Sequence, residues 1–251
     1  LAHSLRTDGT YLPAAQALLS ALRDRNHDLE PIIELRHDAP ISSFTLDESG
    51  SSLITRATDG TVRLWDASTH ELREEFGRRS PLKSASFSRT GTLLVTLGSN
   101  RVAQVWALDS LSAQGQPITT AGGIEEIKSA VSPDGGLVLA TRSRDQTLRI
   151  WDGITGKPVT PPLIGPTDQD VLFFGLKEDG SRLFARFGSR WVYYWNTRTG
   201  KPTGEPINIL HTRYRAHSTE TGAFCTVERR GDLITFFNLE SGGKIKHLSM
   251  P

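Results

Sequence analysis

Residues 140–158 read ATRSRDQTLRIWDGITGKP and gather groups able to do acid–base or anion chemistry: Arg142, Arg144, Asp145 and Asp152. Asp145 stands six residues before Trp151, and Asp59 stands six before Trp65. Two carboxylates about 5 Å apart would suit a retaining glycosidase, one as nucleophile and one as proton donor. Arg56, Arg142 and Arg186 share a register, three residues before Asp59, Asp145 and Ser189. Guanidinium groups suit planar, bidentate contact with carboxylate or phosphate. Arg144 and Arg230 come one or two residues before the turn position. The seven histidines, His3, His27, His37, His70, His211, His217 and His247, show no helical zinc spacing, and no cysteine accompanies them. No phosphate loop and no G-x-S-x-G elbow is present. The sequence therefore predicts no metal, no cofactor and no catalytic residue.

The elements that must carry these residues are bounded first by composition. The chain has 251 residues, 37% hydrophobic and 23% charged, which is ample for a packed core and too apolar for a disordered chain. A formal net charge of +1 gives no bulk attraction to nucleic acid or to an anionic membrane. The one cysteine, Cys225, forms no internal disulfide and suits a reducing compartment, so a cytoplasmic location is expected. No apolar run approaches the ~20 residues of a membrane-spanning helix. The sequence starts at Leu1 rather than Met, so other domains of a longer chain are expected beside it.

A repeat organises the chain. Turns ending in glycine recur at Gly9, Gly50, Gly91, Gly135, Gly180 and Gly222, spaced 41, 41, 44, 45 and 42 residues apart. Each is followed by a short apolar run, such as SLIT or LVLAT, and in five repeats by a second run ending in an aromatic: Trp65, Trp106, Trp151, Trp195 and Phe237. Those aromatics fall 15 or 16 residues after their glycines. Short alternating runs between turn signals are strands. About four strands per repeat of this length predict one blade of a β-propeller, because a small twisted sheet buries both faces only against its neighbours. The first repeat departs from the pattern: residues 13–28 read either as a degenerate blade or as a short helix.

The Trp-Asp pairs Trp65-Asp66 and Trp151-Asp152 close their third strands, and the chain here resembles the WD-repeat family of β-propellers. The likeness covers residues 40–247 well and 1–39 weakly. It implies an all-β fold of four-stranded antiparallel blades in one domain, with repeats at about 1–36, 37–77, 78–120, 121–165, 166–209 and 210–251. Six repeats would either close as a ring or form part of a seven-bladed or larger array. The resemblance also implies a hydrogen-bonded network of His, Ser/Thr, Asp and Trp indole. His37, Thr55, Asp59 and Trp65 supply it fully, while Thr141, Asp145 and Trp151 lack the histidine. Thr96, Asn100 and Trp106 keep a weaker version. The segment TGKP, present at 155–158 and 199–202, resembles connectors of WD-repeat arrays in large bacterial proteins.

Within such a ring, Asp59 and Asp145 occupy equivalent places in separate blades, too far apart for a glycosidase pair and better suited to buried network roles. A sialidase-type Asp-box needs five residues from Asp to Trp, and here there are six. The arginines then either pair with carboxylates of neighbouring blades or form a partner-binding face with Trp191 and Tyr214, which lie off the repeated aromatic position. The leading expectation is a non-catalytic scaffold or sensor binding a protein or peptide. The alternatives are a propeller enzyme acting on glycans or peptides, and an arginine-lined face binding anions or nucleic acid.

Overall fold

The computed structural model describes residues 35–163, 165, 170–188, 191–208, 212–213, 223–228, 233–238 and 244–249; from 208 onward it describes the backbone alone. Residues 13–28, together with Tyr214 and Arg230, lie outside the described residues. The chain divides into two compact units, Leu1–Ser99 and Asn100–Pro251. Among the described residues all regular structure is strand.

In the first unit, β1 (Ile41–Leu46), β2 (Ser52–Ala57), β3 (Val62–Asp66) and β4 (Leu72–Phe76) form an antiparallel sheet in that order. β5 (Leu82–Phe87) and β6 (Leu93–Gly98) follow as an antiparallel pair. The second unit opens with the antiparallel pair β7 (Ala103–Ala107) and β8 (Ser112–Ile118). β9 (Ile124–Val131), β10 (Leu137–Ser143), β11 (Leu148–Asp152) and β12 (Lys157–Pro158) make the next sheet. β13 (Val171–Leu176), β14 (Arg182–Phe187), β15 (Trp191–Asn196) and β16 (Ile207–Asn208) make another. β17 (Thr212–Arg213), β18 (Ala223–Glu228), β19 (Leu233–Asn238) and β20 (Lys244–Ser249) make the last. These four-stranded antiparallel sheets have the form of WD-repeat propeller blades.

Burial explains why the second and third strands read as apolar runs. Both faces of a central strand are covered, so Leu94, Val95 and Leu97 of β6 are all buried, as are Leu148, Ile150 and Trp151 of β11. The first strand of the first sheet, in contrast, leaves Ile41 and Phe44 exposed. Between the sheets β9–β12 and β13–β16 lies a continuous core of Leu148, Ile150, Val171, Phe174, Leu183, Phe187 and Trp195. Phe187 meets Trp195 edge-on at 6.1 Å, the electrostatically favoured approach of two rings.

The recurrent turn glycines close hairpins between first and second strands. Gly50 donates its N–H to the Asp47 carbonyl at 3.1 Å and has a φ of 72°, which a β-carbon would disfavour. The two TGKP segments have a packing role that their sequence alone does not disclose. A β-carbon on Gly156 would stand 2.2 Å from the Gln116 carbonyl oxygen, and one on Gly200 would stand 2.3 Å from Thr160 Cγ2. Gln116 also donates its N–H to the Thr155 carbonyl at 3.0 Å. Each segment thus presses its glycine against residues of, or just beyond, the outermost strand of the preceding sheet.

Candidate functional site

The tryptophans are held from inside their sheets. Trp65 Nε1 donates to Thr55 Oγ1 at 2.8 Å, and His37 Nε2 lies 2.6 Å from the same oxygen. Trp151 Nε1 donates to Thr141 Oγ1 at 2.8 Å. Both threonines are buried, so each indole would lose its only dry acceptor if the hydroxyl were removed. Burial, and then the nearby Arg63 charge, lower the His37 pKa below 6.5, against opposing pulls from Asp59, Glu75 and Asp38. A neutral ring is the form that can share the Thr55 hydroxyl in either direction.

Asp59 and Asp145 differ from the buried network acids that their register suggests. Both are exposed. Asp59 accepts from the Thr61 hydroxyl at 2.8 Å and the Thr61 N–H at 2.9 Å. Asp145 accepts from the Thr147 hydroxyl at 2.7 Å and the Thr147 N–H at 3.1 Å. A carboxylate followed two residues later by threonine closes its own turn, which satisfies it without entering the interior. In the first sheet Thr61 Oγ1 lies 3.5 Å from His37 Nδ1, so Asp59 reaches the histidine through Thr61. Asn100 takes the corresponding place, accepting the Val102 N–H at 3.2 Å.

These turns share a second feature. Gly60, Arg101 and Gln146 each stand five residues before a tryptophan, and all have positive φ, at 85°, 67° and 61°. Glycine adopts that conformation freely, while other residues lose roughly 1–2 kcal/mol. The turn then latches onto the first strand of the next sheet. Leu82 donates its N–H to the Gly60 carbonyl at 2.8 Å, and Ile124 donates to the Arg101 carbonyl at 3.2 Å. Val171 donates instead to Gln146 Oε1 at 3.1 Å. Its carbonyl accepts from Arg142 Nη1 at 2.9 Å.

The candidate arginines therefore separate. Arg142 is partly buried, bound to the Val171 carbonyl and 3.3 Å from Glu126, its cross-strand neighbour. Its main engagement is within the fold. Arg56 and Arg186 are half-buried on β2 and β14, and Arg186 also has a partner. Trp191 is half-buried on β15 opposite Phe187. Arg144 is 62% exposed. Beside it stands a residue that the sequence reading did not single out. Arg101 Nη1 and Arg144 Nε both approach Glu125 Oε1, each at 3.6 Å. That distance is an ion-pair contact but too long for a hydrogen bond. Arg101 Nη1 is also buried without a hydrogen bond among the described residues. The sequence signal was available: Arg101 occupies the place where the first sheet has Gly60.

Asp59 and Asp145 each close their own turn. What the site offers is a rigid turn surface with guanidinium donors only partly used. The strands, their hairpins and the threonine-held tryptophans have the form of WD repeats. The WD domain, G-beta repeat family model matches residues 29–66 and 115–152. The chain is similar to serine-threonine kinase receptor-associated protein of Gallus gallus, 27% identical over 48% of this chain and 34% of that protein. It is similar to COMPASS component SWD3 of Saccharomyces cerevisiae, 25% identical over 59% of this chain and 47% of that protein. Nuclear distribution protein PAC1 of Arthroderma benhamiae is 30% identical over 48% of this chain and 28% of its own length. The chain thus spans less than half the length of each of these relatives. All three come from eukaryotes, so the bacterial likeness of the TGKP connectors has no support in them.

Proposed function

We propose that this chain is a non-catalytic protein-interaction platform that docks a partner protein or peptide on the turn surface around Arg101, Glu125 and Arg144. The observation that carries it is the convergence of two guanidiniums on one carboxylate oxygen at 3.6 Å, with the Arg144 side chain 62% exposed. A partner carboxylate can take donors that Glu125 leaves unused, and charge-assisted bonds of this kind are strong and directional. The turns are held by Asp145 and Asn100 before any partner arrives, so little ordering entropy is lost on docking. WD repeats and the names of the relatives, one a component and another an associated protein, support this reading. A cytoplasmic setting suits the reducing environment expected from the single cysteine.

The test is affinity capture with the full chain and with Arg144→Glu and Arg101→Ala, after thermal melting has shown each variant folded. A partner bound by the wild type should be lost or weakened at least about tenfold by Arg144→Glu, since a like charge now faces it. Identical capture by wild type and both folded variants would overturn the assignment.

A further inference from the structure

A cleft of about 280 Å³ opens in the second unit between the sheets β9–β12 and β13–β16. It lies at the opposite strand ends from Arg144. Its lining includes Leu137, where β10 begins, and Trp151, near where β11 ends. Arg144 follows β10, and the seven residues of that strand span roughly 20 Å. Leu137, Ile150 and Trp151 are buried in the lining. Ile154 and Val159 also line it and are 37% and 42% exposed, which leaves aliphatic surface open at its mouth.

Four charged residues border the same cleft: Asp134, Asp152, Asp179 and Arg198. Asp134 is paired with Arg198 at 3.2 Å, and Asp179 with Lys177 at 2.9 Å. The Ser132 hydroxyl, then the Gly136 N–H, hold the Asp134 carboxyl below its usual range. Burial raises the Asp179 carboxyl, but the Lys177, Ser181 hydroxyl and Ser181 N–H contacts outweigh it and leave it lowered. Asp152 differs. Its Oδ1 accepts the Ile154 and Thr155 N–H groups at 2.9 and 3.0 Å, and no cation stands within ion-pair distance among the described residues. An apolar hollow thus carries one carboxylate on its lip that lacks a cationic partner.

We infer that this cleft is a second docking site, which takes an apolar side chain of a partner peptide whose neighbouring lysine or arginine pairs with Asp152. The open mouth at Ile154 and Val159 favours a side chain of an extended peptide over a whole small molecule, whose pockets enclose most of their ligand. An aliphatic side chain enters the hollow with room for part of its own backbone, and the charge of the lip selects what stands beside it. The site is separate from the arginine surface, and either can fail without the other.

The probe is the peptide Ac-Gly-Ser-Leu-Lys-Ser-Gly-NH2, titrated into the uniformly ¹⁵N-labelled full chain and followed by two-dimensional NMR. The Trp151 indole N–H and the Ile154 and Val159 amides should shift saturably. Replacing Leu in the peptide by Gly should weaken binding about tenfold or more. Replacing Lys by Gln should weaken it about two- to fivefold. Asp152→Asn keeps the oxygen that closes the turn and removes the charge. It should weaken the Lys peptide to the level of the Gln peptide and leave the Gln peptide unchanged. Val159→Glu, on an exposed position, should abolish the shifts and serves if Asp152→Asn fails to fold. The proposal is overturned by absence of saturation at millimolar peptide, by equal binding of a Glu-for-Lys peptide, or by Asp152→Asn binding as the wild type does. Shifts that grow with protein concentration alone, with slowed tumbling, would assign the cleft to a second copy and overturn the peptide reading.

Discussion

A single hydroxyl, Thr55 Oγ1, serves both the Trp65 indole and His37. Thr55→Val keeps the shape and removes the partner of two groups, so it should cost about 1–3 kcal/mol in urea unfolding. Thr141→Val removes the partner of Trp151 alone and should cost less. His37 adds a pH dependence whose sign is fixed by its lowered pKa. The unfolded chain binds a proton near pH 6.5 while the folded chain resists it, so the stability due to His37 is present above pH 6.5 and is lost as pH falls below it. The slope of stability against pH between 7 and 5 should flatten in His37→Gln, and an unchanged slope would refute this role. Asp66 works in a lower window. The Ser68 hydroxyl, then the Thr69 and Ser68 N–H groups, bring its pKa to about 2, so its contribution disappears as pH falls from about 3.8 towards 2.

At the scale of strands and turns, the turns before the third strands carry two duties, closing themselves and holding the next sheet. Gln146 shows the trade. Its positive φ costs roughly 1–2 kcal/mol, and its side chain returns a bond to the Val171 N–H. Gln146→Ala keeps the strain and loses the bond, whereas Gln146→Gly loses the bond and relieves the strain. Thermal melting should therefore place the glycine variant above the alanine variant by about 1 kcal/mol. Strands and hairpins of this kind were legible in the sequence because glycine and tryptophan recur at fixed intervals. The latches were not, because they join a turn to a strand more than twenty residues on, two of the three through backbone groups that no residue type announces. The exposure of Asp59 and Asp145 was misread for a related reason. Register locates a residue along a strand, but the threonine two places later decides which way its charge is satisfied.

For the molecule as a whole, the same logic separates structure from function among the arginines. Register put Arg56, Arg142 and Arg186 together, and Arg142 is largely occupied by the Val171 carbonyl and Glu126. The exposed donor of the proposed surface belongs to Arg144, foreseen in the sequence, and Arg101, unremarked there, shares its carboxylate. In the second unit, the arginine surface and the cleft beside Asp152 stand at opposite strand ends and differ in charge, so the two proposed sites would hold one partner or two at once.

The latches also have a direction in time. Gly60 precedes Leu82, Arg101 precedes Ile124, and Gln146 precedes Val171. During synthesis the turn always leaves the ribosome before the strand it will hold. Each hairpin then offers an acceptor to the strand still to be made, so the order of translation matches the order in which the sheets are joined.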